Sequence, residues 1–314
     1  DMAGATVRLY DLDPGTLGPE PESLARALEL GVDCVVIVHA FGLAVDHRKI
    51  GELIAGHDVT VIEDAAQAAG GSYNGHVLGS LDTLAVLSFG RGKGITAGGG
   101  GALLGHGARG ASLLARVAPL VKYGIRGMAG WVKTTAQWAL ARPAIYAVPS
   151  ALPFLHLGAT LYNPPHPVRQ LSNAAAGILL RTMGTIDREA RIRRRNAAAI
   201  SSAVTSGRFA PIPPEPGAEP GYLRLPVLAP ISARHEIDDS VARMGVMPGY
   251  PVPLHRLGGF DRVASPGEYP GAEKLADRLL TVPVHGKMSV ADLDKLSRWL
   301  SDGRAGVRSA GIRE

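Results

Sequence analysis

Short apolar runs alternate with helix-like spacings along the first hundred residues of the 314-residue chain. Residues 7–10 predict a short strand that ends at the turn sequence Asp11-Leu-Asp-Pro. From Pro21 the apolar positions Leu24, Ala27 and Leu28 recur on one helical face. Cys34-Val-Val-Ile-Val is a continuous, largely β-branched run, the pattern of a strand covered on both faces. A helix over about 46–55 follows, then strands at 59–63, 84–88 and 102–104. Strands and helices alternating at this spacing predict a mostly parallel α/β sheet.

The pattern then changes. Residues 108–142 read as helical, interrupted at Pro119 and at 127–130. Between 143 and 168 no residue is formally charged, and prolines stand at 143, 149, 153, 164, 165 and 167. Prolines at that density forbid one long helix. An irregular loop, buried or at an oligomer contact, is expected there, with a membrane-surface contact as the alternative. Residues 171–204 predict one long helix bearing Arg181, Arg188, Arg191, Arg193, Arg194 and Arg195. A solvated arginine face is the expectation, because neither interleaved aromatics nor a nucleic-acid motif accompanies it; no nucleic-acid partner is expected. The 211–221 stretch, with five prolines and two glycines, reads as a boundary loop. A strand near 222–228, helices near 233–244 and 272–280 and an extended piece at 281–284 come next. Ser289-Val-Ala-Asp292 has the form of a capping box that starts a helix to Leu300. The division expected is a large domain over 1–182, a connecting helix and small α+β domain over 183–302, and a frayed tail over 303–314.

Composition narrows the class. With 46% hydrophobic and 19% charged residues the chain reads as folded, and its length suffices for a substantial core. The single cysteine, Cys34, cannot form an internal disulfide, so a reducing, cytoplasmic compartment is expected. No apolar run has spanning length. The formal charge of +5 lends weak support to a phosphorylated substrate. Glycine, 40 of 314 residues, clusters at 90–101 and needs a separate account.

That account lies in Val61-Ile-Glu-Asp64-Ala-Ala-Gln67 and Ser88-Phe-Gly-Arg-Gly-Lys93-Gly. An acid ending a parallel strand points into the crevice where α/β sheets bind ligands. A Walker loop fails at both ends when aligned on Gly92-Lys93, with Leu87 and Gly94 in place of its first glycine and its Ser/Thr. The G-x-G-x-x-G spacing also fails. No C-x-x-C or H-E-x-x-H offers a metal site, and no G-x-S-x-G elbow offers a nucleophilic serine. An ordinary solvated lysine is the plain reading of Lys93 taken alone. Together, a strand-end Asp, a strand-end Ser and a loop Lys are what pyridoxal 5′-phosphate requires. The amine forms the Schiff base, the Asp pairs with the pyridinium nitrogen and the Ser donates to the phosphate.

Four segments make the chain resemble the DegT/DnrJ/StrS sugar aminotransferases, which are fold-type I pyridoxal-phosphate enzymes. They are VHAFGLAVDHRKI (38–50), VIEDAAQAAGGSYNGHVLGSLDTLAVLSFGRGKGITAGGGGALL (61–104), LSNAAAGILLRTMGTIDREARIRRRNAAAI (171–200), and PVPLH (251–255) with LADRLLTVPVHGKMSVADLDKL (275–296). The resemblance implies that fold, a mostly parallel large domain with a smaller α+β domain. It implies Lys93 as the catalytic, cofactor-bearing lysine, Asp64 at the ring nitrogen, Gln67 beside the ring hydroxyl and Ser88 at the phosphate. His255 falls where the family places residues near substrate. An amino-acid donor, glutamate, a nucleotide-linked keto-sugar acceptor and a homodimer are implied as partners. Gly99 stands where the family has an acid, Ala69 where it has a histidine, and 105–170 departs from the common version. By the same comparison the chain begins several dozen residues late, so the family's Gly-Thr phosphate loop and ring-stacking aromatic are expected to be missing. A non-catalytic remnant is therefore the alternative from a different class. Sugar dehydration is the alternative within the family, and Lys93 counts against it.

Overall fold

The computed structural model describes residues 4–90, 92–122, 168–204, 208–258, 260 and 267–302. The expectations for 123–167 and for the 303–314 tail lie outside these residues.

The large sheet has the order β1-β2-β5-β6, with β1 at Cys34–Val38, β2 at Thr60–Asp64, β5 at Leu84–Ser88 and β6 at Gly101–Gly105. β1, β2 and β5 run parallel, and β6 is antiparallel to β5. The expected mostly parallel sheet is thus present. Helix α1 (Pro21–Glu29) starts at Glu20, whose carboxylate accepts from the Glu22 and Ser23 amides, with Pro at the first position. Helix α2 (His47–Ile54) starts at Asp46 in the same way. Both helices supply apolar residues to one core, where Leu24, Leu28 and Ile50 meet Val35, Ile37 and Val61. Coverage of β1 is one-sided, contrary to the expectation from its unbroken apolar run. Val35 and Ile37 are buried, while Cys34, Val36 and Val38 are exposed. The period-2 alternation of a strand separates the two sets.

The second sheet is antiparallel, β10-β11-β9-β7, from Met247–Pro248, Leu279–Val282, Leu225–Leu228 and Ala210–Pro211. It packs with Ile200, Phe209, Leu296, Trp299 and Leu300 in the largest core. Short strands β3 (Ser72–Tyr73) and β4 (His76–Val77) form a hairpin closed by Asn74-Gly75, both at positive φ as a tight two-residue turn demands. β3 also pairs with β8 (Ala218–Glu219), tying the segment after β2 to the proline-rich loop.

Four other expectations need correction. Residues 7–10 form no ladder strand. The helix expected over 171–204 is two, α4 (Asn173–Met183) and α5 (Ile186–Ala203). They part at Gly184-Thr185, where the Thr182 hydroxyl reaches across to the Thr96 carbonyl, 3.2 Å away. Residues 233–244 also split, into Ala233–Glu236 (α6) and Asp239–Arg243 (α7), because Asp238 caps the second piece through the Ser240 and Val241 amides. Leu279 and Leu280 belong to β11 and not to the preceding helix α8 (Pro270–Arg278). In the described part of 108–142, α3 (Gly107–Val117) gives way to a single 3₁₀ turn containing Pro119. At the start of α9 (Val290–Asp302) the capping box is present and reciprocal. Ser289 N–H donates to Asp292 at 3.0 Å, and Asp292 N–H donates to Ser289 Oγ at 3.2 Å.

Candidate active site

Because β2 and β5 are parallel neighbours, their last residues, Asp64 and Ser88, emerge at the same edge of the sheet. Asp64 accepts from the Ala66 amide at 3.0 Å, and its backbone carbonyl accepts from His39 N–H at 3.1 Å. Strand alternation turns the preceding residue, Glu63, to the opposite, fully buried face. There Glu63 Oε1 accepts from His39 Nε2 at 3.0 Å and from the Gly79 amide, and Oε2 accepts from the Leu81 amide at 2.9 Å. His39 Nδ1 accepts from Val45 N–H at 3.2 Å, which fixes the ring proton on Nε2. Burial alone would raise the Glu63 pKa, but the His39 and backbone hydrogen bonds outweigh it and hold the carboxyl below its ordinary value. The strand end that carries Asp64 is therefore pinned from behind. His39, His47 and Glu63 also bring possible metal-ligand atoms within 4.8 Å of one another. Both nitrogens of His39 are already engaged, so it has no lone pair to give an ion.

Lys93 lies in the loop between β5 and β6. Phe89, Ile95 and Ala97 of that loop pack on Ala175 of α4. The Lys93 amide donates to Gly90 O at 3.3 Å. Gly90 stands between Ser88 and Lys93: a Cβ there would lie 3.4 Å from Ser88 Oγ and 3.8 Å from Lys93 Cγ. A Cβ on Gly94 would lie 3.1 Å from Ala69 Cβ and 3.4 Å from Arg193 Nη2, so the loop closes tightly on its neighbours. Burial pushes the half-buried Lys93 amine below its ordinary pKa, and Asp64 is near enough to oppose that shift. Asp64 and Lys93 thus share one electrostatic environment.

Gln67 is clamped at both ends. Its Oε1 accepts from Phe41 N–H at 3.0 Å, and its Nε2 donates to the Tyr250 hydroxyl at 2.6 Å. Phe41 holds a left-handed backbone (φ 54°), unusual for a bulky residue, and its ring centroid is 5.5 Å from that of Tyr250. Tyr250 is half exposed; its partial burial raises its pKa, Gln67 lowers it and Asp64 raises it, so Tyr250 is within reach of the same carboxylate. Tyr10 donates to Val36 O at 2.7 Å and is raised likewise, by burial first and then by Asp64.

His255 is placed differently. Its Nε2 is paired with Glu273 Oε1 at 2.7 Å, Arg256 reaches the same oxygen at 2.7 Å, and its ring lies 4.9 Å from Tyr269. The structure thus associates Asp64, Gln67, Ser88 and Lys93 and commits His255 to the start of α8.

Sequence reasoning missed Phe41, Tyr250 and Arg193. Arg193 corrects the solvated-helix expectation: it is buried, donating to Gly221 O at 2.7 Å and Ala69 O at 3.0 Å, and burial lowers its pKa. Its neighbour Arg194 donates to Gly70 O and Pro220 O. A signal was available, because Arg193 falls in step with Ala190, Ala197 and Ile200 on the buried face.

The description of the DegT/DnrJ/EryC1/StrS aminotransferase family matches residues 2–300. The chain belongs to this family. A pleiotropic regulatory protein of Geobacillus stearothermophilus is 27% identical over 90% of this chain and 68% of its own length. An L-glutamine:2-deoxy-scyllo-inosose aminotransferase of Streptomyces lividus is 30% identical over 64% of this chain, and the match spans only 42% of that protein. Among solved structures, a DegT/DnrJ/EryC1/StrS aminotransferase from Brucella abortus superposes with a TM-score of 0.72 at 22% identity, covering 95% of this chain and 74% of that one. An E. coli GDP-4-keto-6-deoxy-D-mannose-3-dehydratase with bound hydrated PLP gives 0.70 at 17% identity, covering 95% and 75%. These likenesses show the fold expected from the resemblance, that of the pyridoxal-phosphate-dependent sugar aminotransferases. The cofactor expected is the one this structural neighbour carries. No helix among the described residues is long and apolar enough to cross a membrane.

Proposed function

We propose that this chain is a pyridoxal-phosphate-dependent aminotransferase that moves an amino group from glutamate to a nucleotide-linked keto-sugar. The observation that carries the reading is the half-buried Lys93 amine sharing its surroundings with Asp64 at one edge of a parallel sheet. The residues present fit the cofactor: a lysine, a strand-end carboxylate, a strand-end hydroxyl, and a glycine between the lysine and the hydroxyl that leaves their approach free of a Cβ. When bound, pyridoxal phosphate supplies an electron sink for charge developing on the substrate carbon. Lys93 would hold the cofactor and, once the amino donor has displaced it, its Nζ, whose neutral form burial favours, would carry the proton from the substrate α-carbon to the cofactor carbon. The Asp64 carboxylate keeps the ring nitrogen protonated. Gln67 turns an N–H toward the ring hydroxyl, and Ser88 Oγ donates to the phosphate. A second copy of the chain completes a homodimer. A place in surface-polysaccharide or secondary-metabolite synthesis, in the cytoplasm, accords with this chemistry.

The test is a half-reaction. Protein loaded with pyridoxal phosphate is given glutamate, and in parallel glutamine, the donor named for the Streptomyces relative. Loss of the visible absorbance band with release of 2-oxoglutarate from glutamate is the expected result. No oxoacid from either donor contradicts the reading, and 2-oxoglutaramate from glutamine alone corrects the donor.

A further inference from the structure

Tyr250 comes from a segment 183 residues beyond Gln67, yet its hydroxyl lies 2.6 Å from the Gln67 amide nitrogen. A carboxamide can be turned end for end at little cost unless its neighbours distinguish oxygen from nitrogen. Here they do. Phe41 N–H is a donor only, so it takes Oε1. With Oε1 so placed, Nε2 faces Tyr250, and the phenol oxygen accepts one of its two hydrogens. That leaves Nε2 a second hydrogen to donate. The Phe41 backbone is held at φ 54° where Leu223 N–H donates to its carbonyl at 2.8 Å, so the donor end of this clamp is itself fixed by the segment before β9.

We propose that Tyr250 is a positioning residue that holds the nitrogen end of the Gln67 carboxamide, whose sense Phe41 N–H fixes, so that the small antiparallel-sheet unit helps set the hydrogen-bond donor presented to the cofactor ring. The proposal rests on the cofactor reading for the ring contact, but the Gln67–Tyr250 coupling itself does not. Tyr250→Phe keeps the ring packed on Phe41 and removes only the hydroxyl, so it isolates the bond from the packing.

The experiment has two arms. In the first, urea unfolding of cofactor-free wild type, Tyr250→Phe, Gln67→Ala and the double variant forms a cycle. The two substitutions are expected to be non-additive by on the order of five-fold in the unfolding equilibrium constant. Additive effects overturn the proposal, whatever the protein does with cofactor. In the second, the visible band of protein loaded with pyridoxal phosphate is titrated with pH. Tyr250→Phe is expected to shift its midpoint in the same direction as Gln67→Ala. Coupling in the first arm with an unmoved midpoint overturns the orienting role and leaves a structural bond alone. If no visible band forms with wild type, the cofactor reading fails, and the first arm still decides the coupling.

Discussion

His47 and Asp82 meet at 3.4 Å between Nδ1 and Oδ2, and neither His47 Nε2 nor Asp82 Oδ2 has a hydrogen-bond partner among the described residues. Burial drives them apart in opposite senses, lowering His47 to about 4 from 6.5 and raising Asp82 to about 6 from 3.8. Asp82 holds its proton more tightly folded than unfolded. Its contribution to stability is therefore full below pH 3.8 and is lost as pH rises through about 6. For His47 the contribution is present above 6.5 and is lost as pH falls through about 4. In wild type the two slopes oppose each other between these limits. Asp82→Asn is expected to leave a stability that climbs with pH across that window, and His47→Gln one that falls, each by up to about 1.4 kcal/mol per pH unit. Urea unfolding at several pH values measures both, and slopes of the same sign would contradict the assignment. At this scale the sequence made the positions of Asp64 and Ser88 at strand ends, and of Lys93 in the loop after β5, legible because apolar runs end there. It did not reveal Tyr250, whose bond to Gln67 joins residues 183 positions apart.

The helix α5 shows why an apolar pattern can mislead. Hydrophobic periodicity registers Ala190, Ala197 and Ile200 and passes over Arg193, which shares their face. The buried guanidinium instead bonds two loop carbonyls, at Ala69 and Gly221, and abuts the glycine next to Lys93. Removing it orphans both carbonyls, so Arg193→Ala is expected to destabilise the fold by roughly 2–4 kcal/mol. Arg193→Lys should recover only part of this, because an ammonium lacks the planar fork that spans two acceptors. Thermal and urea unfolding check both, and a loss below about 0.5 kcal/mol would place Arg193 among the solvated arginines after all. The break between α4 and α5 was equally hidden. It falls at Gly184, the C-cap of α4, beside the tertiary bond from Thr182 to Thr96.

Across the whole molecule, distant segments complete one another. Helix α8 has no side-chain cap of its own at Tyr269; the buried Asp11 carboxylate, 260 residues upstream, accepts from the Gly271 and Ala272 amides at 2.7 and 2.8 Å. The order of strands and helices, and so the fold class, was readable from spacing, whereas such long-range ties were not. The glycine cluster at 90–101 also takes its meaning here, as the region where the β5–β6 loop presses on Ala69, Arg193 and Leu171. The central claim is that this arrangement makes Lys93 the cofactor lysine, one of seven lysines in the sequence. Purified protein incubated with pyridoxal phosphate, reduced with borohydride and mapped by peptide mass spectrometry tests it directly. The predicted result is a reduced pyridoxyl adduct concentrated on Lys93 and lost in Lys93→Ala. An adduct spread over the remaining lysines, at the same level in wild type and variant, would contradict it.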